Sequence, residues 1–176
     1  SSYIASYHPF HLYMDELPAW DGRDRLTALA LRVSCRPLWV QGFHTWMLGL
    51  ASQWMDQSGL HANSVAPILV SREQGRRKST FCRSLMPDVL MRYYTDNLKL
   101  TSQGQAERLL AEMGLLNMDE FDKYAENKMP LLKNLMQMSA LNIRKAYQQN
   151  FRQLPRVASF IGTSNRFDLL TDPTGS

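Results

Sequence analysis

The sequence predicts an α/β protein in which a parallel sheet flanked by helices follows a helical N-terminal segment. Three observations predict it: a long helical periodicity before residue 60, three short apolar runs after it, and helix-spaced apolar residues between those runs. The 176 residues make one substantial domain that needs no staples. At 44% hydrophobic and 20% charged, the composition excludes a disordered tail or a fibrous repeat. The longest apolar run, VAPILV at 65–70, is far shorter than a membrane span, and no leader pattern opens the chain. A cytoplasmic protein without membrane contact is expected, with Cys35 and Cys82 as two buried thiols rather than a disulfide framework.

The elements follow in order. A helix is expected from about Asp24 to Val33, punctuated by the Asp-Gly pair at 21–22. Across 41–56, Phe43, Trp46, Met47, Leu50, Ala51 and Trp54 fall on one helical face, closed by Gly59; Trp46 and Trp54 read as core. Val65–Val70 is a buried strand or a helix fragment, and a helix starts at Ser79–Leu85. Gly114–Met118 and Val157–Thr163 are the other strand candidates. Between them lie helices at 103–113 (Ala106, Leu109, Leu110, Met113) and 129–140 (Leu132, Leu135, Met136, with Leu141 beyond). The chain divides into a helical segment, 1–60, packed on an α/β core, 61–176. In parallel sheets ligands sit at the C-terminal strand ends, and all three strands here end in polar residues.

Charge is arranged in blocks. The net charge of +4 hides a local +4 over 71–92, a local −4 over 107–126 and a local +5, with no acid, over 140–166. Alternating blocks suit sites for an anion, a cation and a polyanion.

ILVSREQGRRKSTFCRSL has the order of a phosphate-binding loop: strand, polar loop, then Lys-Ser-Thr opening a helix. Such loops wrap backbone N–H groups around phosphates, Lys reaches the β- and γ-phosphates, and the next hydroxyl holds Mg²⁺. The candidates are Gln74, Gly75, Arg76, Arg77, Lys78, Ser79 and Thr80, with Ser79 on the metal. Arg72 and Arg77 stand where the pattern has glycines, whose freedom at positive φ lets the loop curl. GLLNMDEF puts Asp119 and Glu120 at a strand end, the first to hold Mg²⁺ and the second to take a proton from an attacking water. Asn165 ends the last strand as a neutral group that orients that water. Residues 141–156 carry Arg144, Lys145, Arg152 and Arg156 with Tyr147 and Phe151 interleaved. Cations on phosphates and aromatics on bases suit a single-stranded nucleic acid. The same composition also suits a solvated helix-loop whose aromatics pack inward.

Taken together, WDGRDRL (20–26), QGRRKSTF (74–81), LLNMDEF (115–121), IRKAY (143–147), PRVASFIGTSN (155–165) and LLTDPTGS (169–176) resemble the virulence-associated protein E family of mobile-element proteins. The resemblance covers nearly the whole chain. It implies an AAA+-like P-loop NTPase core, akin to superfamily-three helicases and phage primase-helicases. The implied activity is ATP hydrolysis with Mg²⁺ by a DNA helicase motor, as a homo-oligomeric ring (a hexamer) in DNA replication of a phage or integrated element. Related ring helicases grip DNA with a hairpin just before the last strand, where 141–156 stands. Relatives continue past TDPTGS with a pair of arginines that supply a finger in trans. Beginning without Met and stopping before that pair, the chain is expected to be a piece of a longer protein, its core truncated, monomeric and weakly active. The alternative is a degenerate P-loop module that binds DNA or protein without turnover. Arg72 and Arg77 favour it, whereas Asp119, Glu120 and Asn165 favour the enzyme.

Overall fold

A computed structural model describes residues 8–56, 62–73, 75, 77–144 and 151–167, with Ala125, Arg144, Phe151 and Arg152 described at the backbone alone. Three helices come first: α1 (Pro9–Asp15), α2 (Arg25–Leu31) and α3 (Pro37–Trp54). Asp24 caps α2 by accepting from the Thr27 N–H, which fixes the start that the sequence suggested. α3 begins at Pro37, four residues before its apolar periodicity becomes clear, because proline at the first helical position is preset for the turn.

Strands and helices then alternate: β1 (Ile68–Val70), α4 (Arg77–Ser84), a 3₁₀ turn (Asp88–Tyr93), β2 (Tyr94–Thr95), α5 (Gln103–Glu112) and β3 (Leu115–Met118). They are followed by α6 (Asp122–Ala125), α7 (Met129–Gln137), β4 (Ala140–Arg144), β5 (Phe151–Pro155) and β6 (Ser159–Ser164). The order β1-β6-β3-β2 forms a four-stranded sheet in which every pairing is parallel. The last strand inserts between β1 and β3, so the ends of three strands distant in sequence lie side by side. The expected α/β architecture, a parallel sheet flanked by helices, is what the chain adopts.

Alternation along the buried strands divides the core. Leu69, Leu115 and Ile161 join α1–α3 and α4 through Phe10, Phe43, Trp46, Trp54 and Phe81. Leu116, Met118 and Phe160 face the other way, onto Leu110, Leu132, Leu135 and Leu141. Buried Gln53 ties α3 to the sheet by donating to the Ala158 carbonyl at 2.7 Å. Among the described residues no helix is long and apolar enough to cross a membrane.

Several expectations need correction. The helix expected to reach residue 140 stops at Gln137, and Leu141 belongs to a strand. Residues 140–144 and 151–155 form an antiparallel pair, Ile143 opposite Arg152, which overturns the alternative of a helix-loop and not the hairpin that the resemblance implied. β2 was not foreseen, being only two residues long. Cys82 is buried as expected, but Cys35 is exposed. Gly59, and the tail beyond residue 167, lie outside the described residues.

Candidate functional site

The inserted strand brings Ser71, Asp119 and Asn165 to one edge, immediately beyond β1, β3 and β6. α4 opens at Arg77, and the N–H groups of its first turn have no intrahelical acceptors, which makes this end of the helix electropositive. Gly75, Lys78 and Ser79 from the loop and helix face Asp119, Glu120 and Thr163–Asn165 across a cleft of about 300 Å³.

The Lys78 ammonium is held across this cleft. Its Nζ donates to Asn165 Oδ1 at 2.6 Å, to the Ser71 carbonyl at 3.2 Å, and to Ser71 Oγ and the Glu73 carbonyl at 3.3 Å. Ser79 Oγ donates to Asp119 Oδ1 at 2.8 Å, and Thr163 Oγ1 donates to the same oxygen at 2.6 Å. Thr163 Oγ1 in turn accepts the Glu120 N–H at 3.2 Å, and the Thr163 carbonyl accepts the Phe121 N–H at 2.7 Å. Glu120 has φ +56°, a left-handed conformation that costs a non-glycine residue about 1–2 kcal/mol. The bonds from Thr163 hold that turn in place. The Glu120 carboxylate pairs with Lys123, three residues on in the exposed turn. Beneath Asp119, burial pushes the Cys82 thiol up to about 12, with the Asp119 charge adding to it, so Cys82 is an inert core thiol.

The glycine positions are less demanding than the loop pattern implied. Arg72 is not among the described residues with positive φ, and Arg77 is the first residue of the right-handed helix α4. The Arg72 guanidinium lies 5.4 Å from the centre of the Phe167 ring. Arg77 and Thr80 face a neighbouring cleft instead of the polar one. Of the expected loop residues, Gln74 and Arg76 lie outside the described residues. Thr163 and Ser71 were missed by sequence reasoning. The signal for Thr163 was the two-residue period of a strand, which sets its side chain on the same face as Asn165.

The basic segment divides. Arg144 and Arg152 are on the paired strands, whereas Lys145 and Tyr147 lie outside the described residues. Arg156 is not a phosphate contact: it is 1% exposed. Its guanidinium donates to the carbonyls of Met136 (2.7 Å), Ala158 (2.8 Å), Asn63 (2.9 Å) and Met138 (3.2 Å). Burial without a carboxylate lowers its pKa to about 10. Arg156 is a structural tie between the antiparallel pair, α7 and the start of β6.

No curated protein matches the chain. The model of the virulence-associated protein E-like domain matches residues 14–176. With nearly its whole length matched, from the end of α1 past the strand that carries Thr163 and ends before Asn165, the chain belongs to the virulence-associated protein E-like domain family.

Proposed function

We propose that the cleft binds the phosphates of a nucleoside triphosphate, ATP by the family resemblance, and that the chain is the motor domain of a phage or mobile-element replication protein. The observation that carries this reading is the convergence of Asp119 and Asn165, from two separate strand ends, with Lys78 and Ser79 at one electropositive helix start. In this P-loop, AAA+-like reading, Lys78 exchanges the neutral oxygens that now hold it for phosphate oxygens. Asn165, now accepting from Lys78, orients the attacking water, and Glu120 leaves Lys123 to accept that water's proton.

The donor set suits Mg²⁺. Ser79 Oγ and Asp119 Oδ1 are hard oxygen donors 2.8 Å apart, and among the described residues no sulfur or imidazole lines the cleft. Mg²⁺ held there would neutralise phosphate charge. Arg144, Lys145, Tyr147 and Arg152 of the hairpin segment are the proposed grip on single-stranded DNA, and a homo-oligomeric ring is the proposed assembly.

Thermal melting with and without Mg²⁺–ATP tests the nucleotide site. The chain is expected to melt at higher temperature with the ligand, Lys78→Ala to abolish the shift, and Glu120→Gln to keep it while removing turnover. A shift that survives in Lys78→Ala would sink the lysine's role. Binding without hydrolysis in the family's longer proteins would favour the degenerate module.

A further inference from the structure

Two clefts meet at Lys78. Beside the polar one lies a second of about 520 Å³, and Lys78 lines both. Its walls are mixed: Val33 just past α2, Leu69 and Val70 of β1 and Phe81 of α4 are apolar, and Ser71 and Thr80 add hydroxyls. Two guanidiniums stand at these walls. Arg32, at the C-terminal cap of α2, lies 5.9 Å from the centre of the Phe81 ring, and Arg77 opens α4. Among the described residues neither has a carboxylate partner.

A partly apolar cleft with two guanidiniums at its walls, sharing Lys78 with a phosphate-sized polar cleft, suits a ligand with one flat, weakly polar end and one polyanionic end. A nucleoside triphosphate has both ends. Its base offers a π face to a guanidinium and its sugar offers acceptors, whereas inorganic tripolyphosphate has neither. We propose that this second cleft takes the base and ribose, and that Arg77, standing where phosphate loops carry glycine, contacts them together with Arg32. The apparent defect of the loop is then a recognition element, and Arg32 brings the helical N-terminal segment into the site. This rests on the phosphate site proposed above. It predicts that restoring the loop's glycine weakens nucleotide binding.

Calorimetric titration of the 176-residue chain with Mg²⁺–ATP and with Mg²⁺–tripolyphosphate tests it. Arg77→Gly is expected to weaken ATP about tenfold and to leave tripolyphosphate within about twofold, the size of one or two guanidinium–π or hydrogen-bond contacts. Arg32→Ala, outside the loop, is expected to act in the same direction. Arg77→Gly binding ATP as tightly as the unsubstituted chain would overturn the proposal, as would a parallel loss of both ligands, which would put Arg77 on the phosphates. Equal affinity of the unsubstituted chain for the two ligands would also overturn it and leave the phosphate site standing. No binding of either ligand would remove both.

Discussion

Thr163 makes three contacts with two of its atoms: a hydroxyl bond to Asp119, another from the Glu120 N–H, and a carbonyl bond from Phe121. It therefore fixes the direction of Asp119 and the left-handed turn of Glu120 together. Its strand is wholly buried, so the hydroxyl has few alternative partners. Thr163→Val keeps the shape and removes both side-chain bonds, each worth about 0.5–1.5 kcal/mol, or more where the carboxylate is charged. The Mg²⁺–ATP melting shift is expected to shrink in Thr163→Val and to return in Thr163→Ser, which restores the hydroxyl. Equal loss in both variants would mean that the methyl, not the hydroxyl, matters. Residue identity alone made Lys78, Ser79, Asp119 and Asn165 legible, because each is a familiar chemical group at a strand or helix end. Arg156 was misread for the same reason. Charged side chains are almost never fully buried, and no local pattern announces that four carbonyls from three segments will converge on one guanidinium.

Legibility at the level of elements depended on whether the signal was local. α3 and α5 carry clear apolar faces, and β3 and β6 lie in short runs with apolar centres (Leu115–Leu116, Phe160–Ile161) buried at every residue, so both types could be read without neighbours. β2 is defined by pairing with β3 rather than by its own two residues. The antiparallel pair is similar: a chain with helical spacing up to Met136 gives no warning that Met138 turns extended. The inserted position of β6 also depends on one residue without a side chain. A Cβ on Gly162 would lie 2.8 Å from Ile68 Cδ1 and 3.2 Å from the Met118 carbonyl, so it would push β6 from both neighbours at once. Gly162→Ala is expected to lower unfolding free energy by about 1–3 kcal/mol, as overpacking does, in a urea titration. Because the three strand ends that build the cleft would shift with it, the Mg²⁺–ATP shift is expected to fall as well. An unchanged midpoint would show that Ile68 can yield and that β6 tolerates a side chain there.

Across the whole molecule, the segment from Pro155 to Asn165 joins the antiparallel pair to the cleft without a break. Arg156 anchors the near end of that segment, and Asn165 holds Lys78 at the far end. Binding of single-stranded DNA at the hairpin and of nucleotide at the cleft would therefore act on one buried strand. If they are coupled, linkage requires each ligand to change the other's affinity by the same factor. Salt dependence separates the DNA contacts from the tie. Each phosphate contact to a single strand contributes about 0.7 to the slope of log affinity against log salt. Replacing Arg144, Lys145 and Arg152 together with Ala is expected to flatten that slope by about 2 if all three are contacts, with the melting temperature nearly unchanged. Arg156→Met is expected to do the reverse, lowering stability while leaving the slope of the folded protein intact, because its charge never faces solvent. A slope that does not change in the triple variant would return the hairpin to the role of a solvated surface, and a flattened slope in Arg156→Met would mean that the tie opens when DNA binds.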